Sequence, residues 1–275
     1  MKLGDFHIHS TFSDGKLTIP EIVDLFGTRG FSVIAITDHL CDNDSLIGKS
    51  SRHLGLTLTE ATFPLYLNVI HHEAKRALKQ YNMTVIPGVE ITKNRILSSH
   101  SAHFIALGLT QYVDPNKPVK ELLHNFRSQN CLTIAAHPVH TGKMEKQTLY
   151  LWNHREELQS LFDAWEVASG SLFFDEVKKS GLPMIASSDL HSLKHFTSWK
   201  TCFEGLCRQK NIFDAIKNQN IDFSFFHEGG SHELDHFGRI DLDHVAHSDE
   251  LGNITGQNQS TLIENEQMES DTLSY

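Results

Sequence analysis

Short apolar runs alternate with longer amphipathic stretches along residues 1–227, and this alternation most constrains the fold. The run 31–37 (FSVIAIT) has the length of a buried strand, whereas 18–30 and 65–81 have the apolar spacing of helices. Strands that alternate with helices form parallel sheets with helices packed on their faces. About seven such units in one chain favour a closed α/β barrel over an open sheet.

The composition changes after residue 227. Residues 228–250 are rich in His, Asp and Gly, and 251–275 are polar, acidic and nearly free of strongly apolar residues. A segment of that kind cannot bury enough apolar surface to order itself. We therefore predict one folded domain over 1–227, a His-rich linker or lid over 228–250, and a disordered acidic tail over 251–275.

Charge and cysteine usage limit the function classes. The formal net charge is −10, which argues against an extended nucleic-acid surface because such surfaces carry a basic stripe. The four cysteines lack C-x-x-C spacing, as expected of reduced thiols in a cytosolic protein. No apolar stretch follows Met1 as in a signal peptide, and no run approaches the ~20 residues that span a bilayer. We predict a cytoplasmic protein without membrane contact, and leave its oligomeric state open.

Metal-binding residue types recur at the ends of the predicted strands. His7 and His9 are two residues apart, so their side chains point to the same side of a strand. In α/β barrels the chemistry lies at the carboxyl ends of the strands. The candidate ligands at or near such ends are His7, His9, Asp14, His39, Glu90, His103, His137, Asp189 and His191.

Each of these residues has an ordinary explanation when taken alone. Two histidines are common on a solvated strand face, and an aspartate before glycine, such as Asp14, is most often a turn residue. Together they would crowd one barrel mouth with unpaired polar groups. Mixed imidazole and carboxylate ligands suit Mn, Zn or Fe, and the set is too large for one ion. The sequence therefore predicts two or three divalent metal ions.

The order of these motifs resembles the PHP (polymerase and histidinol phosphatase) family over roughly residues 3–227. Within that family, the chain is similar to stand-alone metal-dependent phosphoesterases, which include nucleotide phosphatases and 5′–3′ oligonucleotide exonucleases. The motifs are His7-x-His9, Ser13-Asp14-Gly15, Thr37-Asp38-His39, Gly88-Val89-Glu90, His103, Ala136-His137-Pro138 and Ser188-Asp189-Leu190-His191. The chain departs from its relatives in the long stretch 40–63 and in lacking an inserted domain between the Glu90 and His137 regions.

The resemblance implies a distorted (β/α)7 barrel, similar to a TIM barrel, with a trinuclear site. One ion would be held by His7, His9, Glu90 and Asp189, a second by Asp14, His39 and His191, and a third by Glu90, His103 and His137. Glu90 would bridge two ions, and Asp14 stands where some relatives have histidine. A hydroxide bridging two ions would attack phosphorus in line.

Further catalytic and substrate-binding roles are expected near this site. Asp38 is expected either to orient an imidazole N–H or to cap the following loop, and either His191 or a metal-bound water is the candidate proton donor to the leaving oxygen. Arg95, Lys143, Lys194 and His140 follow strand-end motifs and are candidate substrate contacts, although residues of these types are commonly solvated surface groups.

The expected activity is phosphoric ester hydrolysis, by a phosphatase or a 5′–3′ exonuclease-like enzyme. The expected partner is a small phosphomonoester or the end of a nucleotide or short oligonucleotide. Two alternatives stay open, namely a metal-dependent amidohydrolase and a non-catalytic PHP interaction module. Amidohydrolases usually add a bridging modified lysine, and we expect no lysine inside a strand motif here. Non-catalytic modules lose ligands, whereas this chain keeps them.

Overall fold

Residues 1–139 and 148–227 are described by the computed structural model of the chain. The predictions for His140, Lys143, the segment 228–250 and the tail 251–275 lie outside these residues. No helix in the described part of the chain is long and apolar enough to cross a bilayer.

Strands and helices alternate through most of the domain. The strands are β1 (Lys2–Asp5), β2 (Val33–Ile36), β3 (His39–Cys41), β4 (Thr84–Lys93), β5 (Ala102–Leu107), β6 (Leu132–Ala135), β7 (Ala164–Ser169), β8 (Leu172–Phe173), β9 (Met184–Ser187), β10 (Ser198–Phe203) and β11 (Ile221–Phe226). The helices are α1 (Ile19–Gly27), α2 (Leu46–His53), α3 (Phe63–Tyr81), α4 (Val119–Ser128), α5 (Tyr150–Asn153), α6 (Arg155–Leu158), α7 (Asp175–Ser180) and α8 (Gln209–Lys217).

One sheet contains all of these strands and curls into a half-barrel. Its order is β11-β10-β1-β2-β4-β5-β6-β7-β8, with β3 beside β4 and β9 beside β7. The two ends of the curl meet where Ile8, just after β1, forms a parallel bridge with Leu190, just after β9. The structure confirms the predicted barrel-like α/β fold and brings the ends of β1 and β9 side by side.

Part of the sheet is antiparallel, which differs from the parallel sheet that the alternation predicts. β5 runs antiparallel to both β4 and β6, and β10 runs antiparallel to β1 and β11. A parallel return needs a crossover of about a dozen residues or more. Residues 94–101 between β4 and β5 are too few for that crossover, so the chain returns antiparallel.

Alternating strand residues divide between two apolar clusters. Ile34 and Ile36 belong to a cluster that includes buried residues of α1, α3 and α4. Val33 and Ala35 belong to a second cluster, which also contains Ile212 and other buried residues of α8. Apolar side chains therefore pack on both faces of the curled sheet, and the polar strand ends are held on a rigid frame.

Buried lysines lie in two strands, β4 and β10, although none lies within the predicted strand-end motifs themselves. Lys93 in β4 lies 3.4 Å from Asp42, and Lys200 in β10 lies 2.9 Å from Asp5 with both side chains fully buried. Each lysine is paired with a carboxylate outside the predicted ligand set.

Candidate metal centre

The nine predicted ligands converge at one place on the sheet, near the carboxyl ends of the parallel strands and, for His103, near the amino end of the antiparallel β5. Their side chains form four overlapping groups in which the ligand atoms all lie within 4.8 Å of one another. The groups are His7, His9 and Glu90; His7, His137 and Asp189; Glu90, His103 and His137; and His9, Asp14, His39 and His191. The structure thus brings together every candidate ligand, and it adds His9 to the group of Asp14.

Glu90 lies at the centre of the cluster and is fully buried. Its Oε2 atom is 3.6 Å from Nε2 of both His7 and His9. Its Oε1 atom is 3.1 Å from Nδ1 of His103 and 3.3 Å from Nε2 of His137. Oε2 also lies 2.8 Å from Nδ1 of His39. The two oxygens thus face different sets of imidazoles, which is the arrangement that a bridging carboxylate requires.

Asp189 approaches the same pair of imidazoles from β9. Its Oδ1 atom is 3.3 Å from Nε2 of both His7 and His9. Asp189 has φ of 49° and His137 has φ of 27°, a region that residues other than glycine rarely adopt. Backbone strain of this kind is concentrated at functional sites, where the surrounding structure maintains it.

Asp14 is brought in by the loop that follows β1. Its Oδ1 atom is 3.3 Å from Nε2 of His191 and 3.5 Å from Nε2 of His39. The loop turns tightly at Gly15, where a Cβ atom would lie 2.3 Å from the carbonyl oxygen of His9. Only glycine fits there, so the Asp14-Gly15 pair has a structural reason beyond a simple turn.

Unpartnered polar atoms point into this cluster. The buried side-chain atoms without a hydrogen-bond partner in the described chain include Nε2 of His7, both ring nitrogens of His9, Oδ1 of Asp14, both oxygens of Glu90 and Nδ1 of His103. Buried polar groups are normally hydrogen-bonded. Divalent cations would satisfy these atoms, and a mixed nitrogen and oxygen donor set suits Mn, Zn or Fe. The residues therefore fit metal ions.

Electrostatics favour cation binding in the same place. Burial alone would raise the pKa of Glu90, but the imidazoles of His103 and His39 hold it well below its ordinary value. Burial lowers the pKa of His9 to about 3, and His191 and His39 add to this effect. Glu90 is therefore ionised and His9 is neutral near pH 7, which are the forms that bind metals.

Glu166 in β7 is a supporting residue that the sequence analysis missed. Its side chain is fully buried, with Oε1 3.0 Å from Nδ1 of His7. Its Oε2 atom accepts the backbone N–H of His137 at 2.7 Å. A carboxylate beside Nδ1 favours the tautomer that leaves Nε2 of His7 free as a ligand atom. A glutamate inside the apolar strand Ala164–Ser169 was the available signal, because such a group is costly to bury unpaired.

Other polar side chains contact the remaining ring nitrogens. Thr92 Oγ1 is 2.8 Å from Nδ1 of His39, and Asn94 Oδ1 is 3.1 Å from Nε2 of His103. Thr148 Oγ1 is 3.2 Å from Nδ1 of His137. These contacts fix the rings in place and complete the layer around the cluster.

Asp38 holds the loop that carries Asp14. Its carboxylate accepts hydrogen bonds from the Ser10 N–H at 2.8 Å, the Ser10 hydroxyl at 2.7 Å and the Ser13 hydroxyl at 2.6 Å. These bonds are made to the loop that follows β1, and not to an imidazole or to the loop that follows Asp38 itself.

The two candidate substrate contacts in the described chain, Arg95 and Lys194, lie in the segments that follow β4 and β9, hereafter the rim. The guanidinium of Arg95 pairs with Asp42 at 2.7 Å and 3.1 Å, and its side chain is 31% exposed. Lys194 is exposed in the turn that follows His191.

Comparison with known proteins agrees with this geometry. The family model described as "PHP domain" matches residues 5–173. The DNA polymerase/3′-5′ exonuclease PolX of Bacillus subtilis (strain 168) is 22% identical over 237 residues, covering 80% of this chain and 40% of the polymerase. The chain therefore spans less than half the length of that relative.

A solved structure shows the same fold. A two-domain protein from Bacteroides vulgatus, containing a predicted PHP-like metal-dependent phosphoesterase, is 24% identical with a TM-score of 0.59. The match covers 82% of this chain and 64% of that protein. An amidohydrolase from Chromobacterium violaceum is 16% identical with a TM-score of 0.49, covering 78% of this chain and 96% of the other. Similarity at a TM-score of 0.49 says nothing about the activity of this chain.

Proposed function

The chain belongs to the PHP domain family, and on that premise we propose that it is a metal-dependent hydrolase of phosphoric esters. The observation that carries the proposal is the convergence of nine nitrogen- and oxygen-bearing side chains, the buried Glu90 among them, with several of their atoms lacking a partner. That donor set is typical of a site for more than one divalent ion.

We propose up to three ion positions, of Mn, Zn or Fe. His7, His9, Glu90 and Asp189 would hold one ion, Asp14, His39 and His191 a second, and Glu90, His103 and His137 a third. Ions at such sites acidify water and stabilise negative charge on phosphoryl oxygens.

Residues of this chain hold the candidate ligands in place and leave one side of the ligand cluster exposed to solvent. Glu166 fixes the ring of His7, and Asp38 holds the loop of Asp14. The side chains of His7 and Glu90 are fully buried, whereas those of Asp14, Asp189 and His191 are 37%, 28% and 25% exposed. Substrate therefore approaches from the side of Asp14 and His191. As an ion ligand through Nε2, with Nδ1 3.0 Å from the carbonyl oxygen of Asp189, His191 has no free N–H for the leaving oxygen, so we assign it the ligand role and not that of proton donor.

The proposed substrate is a small phosphomonoester or the phosphorylated end of a nucleotide or short oligonucleotide. Arg95 supports this class because guanidinium carries five N–H donors, and its pairing with Asp42 leaves some of them for a phosphate. Lys194 is a second candidate contact on the rim. The four free cysteines are consistent with our proposal of a cytoplasmic location.

An amidohydrolase is the second candidate, and the lysines argue against it. Such enzymes commonly use a modified lysine that bridges two metals. Lys200 is bound to Asp5, and Lys93 is bound to Asp42 and to the carbonyl of Pro115. Neither lysine belongs to the groups that could hold an ion in the described chain.

The proposal is tested by incubating a panel of phosphorylated metabolites with the Mn-loaded protein and, separately, with the His39→Ala variant. We expect phosphate release from one class of ester by the unaltered protein and a large loss in the variant. Equal activity in both samples would show a contaminating phosphatase. Hydrolysis of amides but not of phosphoesters would favour the second candidate.

A further inference from the structure

The parallel ladder between β2, β3 and β4 has an opening beside the metal centre. β2 pairs with β4 up to Ile36 opposite Pro87, and β3 resumes the same register at His39 opposite Glu90. The two residue pairs between these points belong to neither ladder. One backbone hydrogen bond crosses the opening, from the Glu90 N–H to the carbonyl of Asp38 at 3.1 Å.

The hydroxyl of Tyr66 lies in this opening. Tyr66 belongs to α3 and is fully buried. Its oxygen is 2.8 Å from the carbonyl oxygen of Gly88 and 3.0 Å from that of Ile36. It also accepts the backbone N–H of Asp38 at 3.3 Å. A hydroxyl has one proton and two lone pairs, so it donates to one carbonyl while accepting from the amide.

These backbone groups adjoin two of the candidate ligands. Asp38 precedes His39, and Gly88 is two residues before Glu90. The two ligands face each other, with Nδ1 of His39 2.8 Å from Oε2 of Glu90. The separation of the strands at the opening therefore determines how these two side chains meet.

We propose that Tyr66 is a positioning residue for the ions held by His39 and Glu90. Its hydroxyl replaces the missing ladder bonds and keeps the ends of β2 and β4 at the separation that the two ligands need. Without the hydroxyl, the carbonyls of Ile36 and Gly88 lose a buried donor, and the strand ends shift to find others. The proposal rests on the metal-dependent function proposed above, but it concerns ion binding and not the choice of substrate.

The test compares Tyr66→Phe with Tyr81→Phe, which removes a hydroxyl from the end of the same helix. Tyr81 donates to Asp24 at 2.8 Å, away from the ligands. Calorimetric titration with Mn²⁺ should show affinity reduced about tenfold in Tyr66→Phe and unchanged in Tyr81→Phe. The visible absorption spectrum of the Co²⁺-loaded protein should change in the first variant alone. A folded Tyr66→Phe protein with wild-type affinity and spectrum would overturn the proposal.

Two further measurements separate positioning from general destabilisation. If Tyr66 acts through His39, the effects of Tyr66→Phe and His39→Ala on Mn²⁺ affinity will be non-additive in the double variant, and additive effects would contradict the proposal. If Tyr66→Phe does not fold, amide hydrogen exchange in the unaltered protein provides the test. The Asp38 amide should then exchange as slowly as that of Glu90, and rapid exchange would overturn the proposal. Absence of phosphoester hydrolysis by ion-loaded wild type would instead refute the proposed function.

Discussion

Replacing Glu166 by glutamine should weaken ion binding while leaving the fold intact. One oxygen of Glu166 lies 3.0 Å from Nδ1 of His7, and the other accepts the His137 N–H at 2.7 Å. Glutamine has one accepting oxygen, and its NH₂ group cannot accept a hydrogen bond. In one orientation the NH₂ group would face the Nδ1–H of His7, and in the other it would face the backbone N–H of His137. A donor therefore faces a donor in either orientation.

The size of the expected loss in ion affinity follows from the burial of Glu166. Glu166 is fully buried, so solvent does not screen its charge. A hydrogen bond to a charged group contributes about 1.5–3 kcal/mol. Because about 1.4 kcal/mol corresponds to a factor of ten, the loss of one such bond to a ligand residue predicts ion affinity lower by roughly 10- to 100-fold.

Calorimetric titration of ion-stripped protein with Mn²⁺ measures this affinity, and thermal unfolding checks the fold. Glu157→Gln is a matched control, because Glu157 is an exposed glutamate paired with Lys120. The control should bind Mn²⁺ as wild type does. Unchanged affinity in a folded Glu166→Gln protein would refute the supporting role of Glu166.

Three other predictions concern the pH dependence of ion binding and stability, the contribution of Arg95 to substrate binding, and the buried pair of Lys200 and Asp5. Burial alone would lower the pKa of His191, but neighbouring carboxylates raise it to about 9. Ion binding needs the neutral ring, so calorimetry in different buffers should show proton release and affinity that rises with pH toward 9. The protonated ring supports the ion-free fold below pH 6.5, and that support is lost as pH rises through about 9, which denaturant unfolding would detect. Arg95→Gln should raise KM without changing Mn²⁺ affinity, because it removes the guanidinium proposed to contact the phosphate; an unchanged KM would remove Arg95 from the substrate site. Lys200→Met leaves Asp5 buried without a counter-charge, so urea unfolding should show a loss of about 3–5 kcal/mol.

Much of the candidate site could be predicted because its residues stand where strands end. His7 and His9 alternate in the extended segment just after β1, and Asp189 and His191 follow β9. Parallel strands place such ends at one edge of the sheet, so proximity follows from the strand assignment alone. The pairing of His39 with Glu90 required the register, which the sequence does not reveal.

Other features depend on contacts between distant segments. Glu166 supports a residue 159 positions away, and a single glutamate in an apolar strand does not identify its partner. Arg95 follows a strand-end motif, but its pairing with Asp42 depends on how β3 lies against β4. The antiparallel return of β5 depends on the length of one short connection, which the alternation of apolar and amphipathic segments did not distinguish.

The most direct test of the proposed metal-dependent phosphoesterase activity is phosphate release from p-nitrophenyl phosphate by ion-stripped protein, before and after Mn²⁺ is added. The arrangement of ligands around Glu90 predicts release only with Mn²⁺, and its loss in Glu90→Gln. Protein that binds Mn²⁺ through these residues and yet hydrolyses neither this ester nor any other phosphoester would contradict the central claim.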